Sequence, residues 1–181
     1  MKQVDPVVTE NSEELDFLNV RKATEKDFPA IREVATLSRL ASWGHFMTKE
    51  QIEEEVEHYY NDDILTAIID NHSNATYVAE RGGKILGYCS AIPKDRRGRP
   101  RLLQFYVRPD TQRQGVGELL FERAVNHLRA AGVTELLVST IAENTSGRSF
   151  FEKKGLSLIQ MYDSTWEGIT HTIAVYHTSL K

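Results

Sequence analysis

The chain has 181 residues, 40% of them hydrophobic and 27% charged, which suits one globular domain with a sizeable core. Its net charge of −4 and pI near 5.9 argue against non-specific nucleic-acid binding, and its single cysteine, Cys89, excludes an intramolecular disulfide framework or a cysteine-rich zinc site. No apolar run of about 18 residues could span a membrane, and residues 1–20 lack the basic start and apolar core of a secretion signal, so a cytoplasmic setting is expected.

Residues 1–17 are polar and acidic and read as an N-terminal extension to a domain spanning 18–181. A short strand is expected from Leu18 to Ala23. Thr24, with Asp27 three residues on, then caps a helix whose apolar positions are Phe28, Ile31, Val34 and Leu37. "ASWGHFMTKE" interrupts that helix, and Thr48 opens a second one with the stripe Ile52, Val56 and Tyr59. Two strands, from Ala75 to Glu80 and from Ile85 to Pro93, flank the turn "RGGK" as a hairpin. "KDRRGRPR" makes another turn, and "RLLQFYVRP" returns as a third strand. A helix carrying Leu120, Phe121, Ala124, Leu128 and Ala131 follows and stops at Gly132. "ELLVSTIA" is a buried strand, a helix runs from Thr145 to Lys154 before Gly155, and strands 156–165 and 171–179 close the chain around "WEG". The pattern predicts an α/β fold: a mixed, mostly antiparallel sheet of six to seven strands with helices on both faces.

"RPDTQRQGVGELLF", residues 108–121, sets two glycines where the strand "RLLQFYVRP" gives way to a helix. A helix N-terminus leaves four amides without intrahelical partners and carries partial positive charge, so it suits an anion. The dinucleotide fingerprint fails, because Leu120 stands where a third glycine belongs, and a Walker P-loop is absent. The competing explanation is a glycine-rich turn with no ligand.

Val107-Arg108-Pro109 followed by Gln112-Arg113-Gln114-Gly115-Val116-Gly117 resembles the pyrophosphate signature [RQ]-x-x-G-x-[GA] of the GCN5-related N-acetyltransferases. Asn144, Gly147, Phe150, Phe151, Gly155 and Leu156 match a second motif of that family in register, and the resemblance covers residues 18 to 181. It implies the GNAT fold with splayed central strands, acetyl-CoA as cosubstrate, an amine acceptor and no metal. By the same resemblance, Gln112 opens the signature, and the backbone of Arg113, Gln114, Gly115, Val116, Gly117 and Glu118 surrounds the pyrophosphate. The edge from Phe105 to Val107 pairs with the pantetheine arm, Asn144 hydrogen-bonds it, and Phe151 lies beside the thioester sulfur. Arg148, Lys153 and Lys154 are candidates for the 3′-phosphate, and homodimerisation is common in the family.

The chain departs from the family where the chemistry occurs. Most members have a tyrosine at the position of Phe151, placed to protonate the departing thiolate, and phenylalanine cannot do so. Tyr162 is the substitute donor to test, against a competing role in packing. Many members carry a glutamate on the strand before the glycine turn, but here "RLLQFYV" offers Gln104, which cannot accept a proton from an ammonium. Glu143 is the best-placed acid by sequence, with the alternative that it complements a helix dipole. His171 is a candidate relay or a structural histidine. The base stays unassigned. Three functions are open: transfer to a small-molecule amine, non-catalytic acyl-CoA binding in regulation, and transfer to a protein or peptide.

Two charge clusters complete the picture. "EQIEEEVEHYYNDD" is a solvated helix face unless Glu53, Glu54 and Glu57 border the acceptor and favour a cationic one. "KDRRGRPR" begins a strand whose far end carries the glycine turn, roughly 26 Å away, too far to share a pyrophosphate. It is read as a solvated hairpin tip.

Overall fold

The computed structural model describes residues 17–166 and 169–180. The expected extension, apart from Phe17, and residues 167–168 of the "WEG" turn lie outside the described residues.

The chain opens with β1 (Asn19–Lys22), and a capping box between Thr24 and Asp27 then starts a short 3-10 turn that leads into α1 (Phe28–Trp43). Pro29 at the first turn of α1 sits where no amide partner is needed. Thr48 and Gln51 cap α2 (Lys49–Tyr59) reciprocally, and Asn61 accepts from the Ile64 amide to start α3 (Asp62–Ile69). The hairpin of β2 (Ala75–Arg81) and β3 (Lys84–Ile92) turns on Gly82 and Gly83, both at positive φ, the conformation a two-residue hairpin turn requires. Then come β4 (Arg101–Val107), α4 (Val116–Ala130), β5 (Glu135–Ile141), α5 (Thr145–Lys153), β6 (Ser157–Trp166) and β7 (Ile169–Ser179).

The strands form one seven-stranded sheet in the order β1-β2-β3-β4-β5-β7-β6. Every neighbouring pair is antiparallel except β4 and β5, which run parallel across the α4 crossover. Strand alternation sends Leu102, Leu136, Val138, Ala174 and Tyr176 to one core with Leu120, Ala124 and Leu128 of α4 and Phe151 of α5. The opposite face buries Val78, Ile85 and Tyr88 against Ile31, Val34 and Ala35 of α1, Val56 of α2 and Leu65 of α3. Helices therefore cover both faces, as the pattern predicts.

Two expectations need correction. α3 is an additional helix, in a stretch the sequence shows as the tail of an acidic run; its core contact is Leu65, supplied by an eight-residue helix too short for a clear period. The stripe of α2 closes with Tyr60, 2% exposed, because Tyr59 points outward at 45%. Glu55, three residues after Ile52, shares that buried stripe. Among the described residues no helix is long and apolar enough to cross a membrane.

Candidate functional site

β4 and β5 pair only at Arg101 with Leu137 and at Leu102 with Val138, then separate. The separation coincides with a bulge in β4, where the register against β3 shifts between Tyr88 and Ser90 and Gln104 takes φ 52°. A non-glycine residue in that region costs of order 1–3 kcal/mol and persists only where its surroundings hold it. Here Ser90 donates to Gln104 Oε1 at 3.2 Å and shares a second hydrogen bond with Thr76 Oγ1 at 2.9 Å. Beyond the bulge, Arg108 N–H donates to the Leu86 carbonyl, so ladder alternation turns the backbone groups of Phe105 and Val107 away from β3 and into the gap. Val107 O already accepts from Ser38 Oγ at 3.0 Å.

The gap widens into a cleft of about 720 Å³ that ends at the glycine turn. Arg113 and Gly115 both have positive φ, 61° and 85°, and α4 starts at Gly115 with no side chain capping it. The amides of the first α4 turn are thus directed toward the cleft mouth without intrahelical partners, a concavity suited to phosphate oxygens. Gln114 braces the turn from outside, accepting from Arg81 Nη1 at 3.0 Å and donating to the Asp110 carbonyl at 3.3 Å. The Val116 side chain belongs to the core.

Of the sequence-predicted cofactor residues, Phe105, Val107, Gln112, Arg113, Gly115, Gly117, Glu118, Asn144 and Phe151 line this cleft, whereas Gln114 and Val116 do not, their side chains being held by Arg81 and by the core. Asn144 also anchors the helix behind it, since its Oδ1 caps α5 through the Gly147 amide and its Nδ2 donates to Thr140 Oγ1, both at 3.0 Å. Phe151 packs among Phe105, Phe150 and Tyr176, with ring centroids 5.7, 5.5 and 6.4 Å away. Gly117 faces that cluster, since a Cβ there would stand 3.3 Å from the Phe150 ring. Of the phosphate candidates, Arg148 is tied to the Tyr176 hydroxyl and Ala142 carbonyl, and Lys154 is paired with Glu118. Lys153 lines the cleft.

The catalytic candidates fall outside the cleft wall. Glu143 is exposed in the β5–α5 loop. Tyr162 stands on β6, 46% exposed, opposite Ile173 of β7, which does line the cleft. His171 is buried on β7 with its ring 5.0 Å from that of Phe46, so the α1–α2 loop closes over it. Glu53, Glu54 and Glu57 are exposed on α2, and none lines the cleft.

Instead, the face of the cleft toward α1 carries Arg39, Ser42, Trp43 and Arg101. Arg39 lies 4.8 Å from the Trp43 ring and 5.0 Å from Tyr60, and forms an ion pair with buried Glu55. Burial pulls its pKa down, yet Tyr106, Tyr60 and Glu55 together hold it above the ordinary arginine value. A sequence signal for this pair existed: Arg39 falls eight residues after Ile31 and Glu55 three after Ile52, so opposite charges occupy both apolar stripes.

A splayed parallel pair, a bulged β4 and an uncapped glycine turn aimed into their gap define an acyl-CoA-dependent acyltransferase fold. The chain belongs to the acetyltransferase (GNAT) family, whose family model matches residues 31–156. It is 23% identical over 145 residues to the spermidine N(1)-acetyltransferase of Thermoplasma acidophilum, covering 78% of this chain and 89% of that one. Among solved structures it resembles the PaiA N-acetyltransferase of Thermoplasma acidophilum in complex with coenzyme A, with a TM-score of 0.72 and 20% identity over 88% of this chain and 98% of that one. The ribosomal-protein-S18-alanine N-acetyltransferase of Escherichia coli aligns with a TM-score of 0.65 and 16% identity, over 91% of this chain and 94% of that one.

Proposed function

We propose that this acetyltransferase moves the acetyl group of acetyl-CoA to the primary amine of a small molecule by direct attack. The observation that carries this is the continuous cleft, which joins the amide-rich turn at Gly115 to a second compartment walled by Arg39, Trp43 and Arg101. The α1–α2 loop packs Phe46 against His171, two residues before the cleft-lining Ile173 of β7, and a loop standing at that end of the strand favours a compact acceptor over an extended chain.

The residues present fit acetyl-CoA. The left-handed Gly115 and the free α4 amides suit its pyrophosphate, Arg113 and Lys153 add charge at that end, and the outward backbone of Phe105 and Val107 suits an amide-bearing arm. When bound, it supplies a thioester carbonyl on which a neutral amine forms the C–N bond as the C–S bond breaks, the electron pair leaving on sulfur and the ammonium proton passing to thiolate or water. The chain's own part is positioning and exclusion of water, through Phe105, Phe150 and Phe151 on one side and Trp43 on the other. A free thiol has a pKa near about 8.5, so thiolate is a tolerable leaving group at neutral pH without a tyrosine at 151.

Thiol release from acetyl-CoA, followed across a panel of small amines and peptides, tests the proposal. Release with a small amine supports it, and release with peptides alone would move the assignment to a protein acceptor. Binding of acetyl-CoA with no release for any amine would leave a binder.

A further inference from the structure

The two sides of the splay differ in chemistry. Toward α4 and α5 the wall is aromatic, with Phe105 stacked on Phe150 at 5.2 Å between centroids. Toward α1 it is polar, with Arg101 and with Arg39, which is paired with Glu55. Arg101 is the first residue of β4, adjacent to the last pairing before the strands part, and strand alternation from buried Leu102 directs it to the α1 face. Its Nη2 donates to Ser139 Oγ of β5 at 2.6 Å, which fixes the guanidinium across the closed end of the gap.

Among the described residues no carboxylate forms an ion pair with Arg101. Asp95, the carboxylate in its field, accepts from the Arg97 and Arg99 amides and pairs with the Arg99 side chain at 3.3 Å, and the other acidic group there is the Tyr162 phenol. Burial first, and the neighbouring Arg99 next, push the Arg101 guanidinium below its ordinary value, so the fold has desolvated a charge without neutralising it. The "KDRRGRPR" turn adds Arg96 and Arg97, both exposed, at this end of β4. Glu118, the one acid lining the cleft among the described residues, belongs to the pyrophosphate end and is held by Lys154. Glu55 is committed to Arg39.

We propose that Arg101 binds a carboxylate on the acceptor, so that the substrate is an amine bearing a carboxylate, a free amino acid or close analogue, and not a polyamine. With Nη2 held by Ser139, the guanidinium keeps donors enough for one carboxylate in a paired geometry. A polyamine would instead bring an ammonium group against Arg101, which no carboxylate of the cleft wall offsets among the described residues. The same field favours the uncharged form of an attacking amine, which partly answers the lack of a cleft carboxylate to act as base. The assignment rests on the acetyltransferase reading above and narrows its substrate.

The test uses the full chain with free amino acids, their α-amides, spermidine and glucosamine 6-phosphate as acceptors, following thiol release. At least one free amino acid is acetylated, with its amide poorer in kcat/KM by about tenfold to a hundredfold, the usual worth of one charged hydrogen-bonded contact. Arg101→Gln collapses that preference for carboxylate over amide, chiefly through KM, and Arg101→Lys restores part of it. Ser139→Ala, which frees the guanidinium without removing it, lowers the preference to a smaller degree. Calorimetry gives a readout apart from turnover: the amino acid binds the CoA-loaded wild type and not Arg101→Gln, while both bind acetyl-CoA equally. Acetylation of spermidine, glucosamine 6-phosphate or amides in preference to amino acids overturns the carboxylate assignment and leaves the acetyltransferase reading standing. Acetyl-CoA binding with no thiol release for any acceptor overturns both.

Discussion

Arg39 and Glu55 meet at 3.0 Å with side chains 8% and 6% exposed, tying α1 to α2 beside the Trp43 side of the cleft. Arg39 Nη1 and Glu55 Oε2 approach without the alignment of a hydrogen bond, so the contact is Coulombic. Such a pair has given up hydration on both sides, and breaking it by removing one partner leaves a bare charge at a cost of about 3–5 kcal/mol. Glu55→Ala is therefore expected to lose stability of that order in urea unfolding. The double variant Arg39→Met with Glu55→Leu should recover most of it. A loss under about 1 kcal/mol for Glu55→Ala would mean that the pair is solvated.

At the start of α1 a second pair responds to pH. Arg21 donates to both carboxylate oxygens of Asp27 at 2.8 Å, and the Thr24 amide adds a third bond. Those Arg21 bonds, against the opposing effect of burial, hold the Asp27 carboxyl below its ordinary value. A depressed carboxyl contributes stability that is present above its unfolded pKa of about 3.9 and is lost as pH falls through the folded value. The stability gap between wild type and Asp27→Asn should stay constant from about pH 5 to 8 and close in the acid range below about 4. Urea midpoints measured across pH check this. A gap that widened on acidification would contradict the pairing.

The capping boxes at Thr24 and Thr48, the "RGGK" hairpin and the glycine turn were legible because each is a local contract between residues within a few positions. The half of the cleft proposed for the cofactor was reached from two motifs of that kind. The half proposed for the acceptor was not. Arg39, Glu55 and Arg101 come from three separated elements and acquire their meaning from burial and from the parting of β4 and β5, which no short window contains. Tyr59 and Tyr60 show the same limit, since a one-residue rotation of α2 exchanges a core ring for a solvent one.

The domain boundary can be tested at Leu18. Phe17 is 77% exposed, whereas Leu18 packs on the core and its Cδ2 lies 3.9 Å from where a Cβ on Gly115 would stand. Removing residues 1–17 should leave acetyl-CoA affinity within about twofold, because Leu18 is the first described residue that packs beside the glycine turn. Extending the deletion through Val20 should weaken binding by loosening that turn. Calorimetry on the two truncations distinguishes them.

Gly117→Val tests the turn itself. The added Cβ would lie 3.3 Å from Phe150 and 3.8 Å from Phe105, and two further methyls would enter the ring stack or the phosphate space. Overpacking of this sort costs about 1–3 kcal/mol, so acetyl-CoA affinity should fall by about fivefold to a hundredfold while circular dichroism shows a folded chain. Gly117→Ala, with only the single close contact to a ring that can shift, should lose less. Unchanged affinity in the valine variant would remove the glycine turn from the cofactor site.

Phe151→Tyr turns the phenylalanine expected beside the thioester into a test of mechanism. Phe151 is 4% exposed yet forms part of the cleft wall, held by Phe105, Phe150 and Tyr176, so one added oxygen alters chemistry more than packing. A phenol there would protonate the departing thiolate, and general acid assistance is typically worth about 10²–10⁴-fold when departure limits the rate. With a thiol that already leaves at neutral pH, the expected gain is smaller, about tenfold in turnover, with acetyl-CoA affinity unchanged within about twofold. Burial among three rings holds such a phenol's pKa above the ordinary tyrosine value of about 10, so the gain should persist to about pH 10, and any loss of it above that should have no counterpart in the wild type. Thiol release for both forms across pH, with the best acceptor at saturation, makes the measurement. Equal turnover at every pH would show that amine attack or product release limits the rate, and that this chain works without an acid because it needs none.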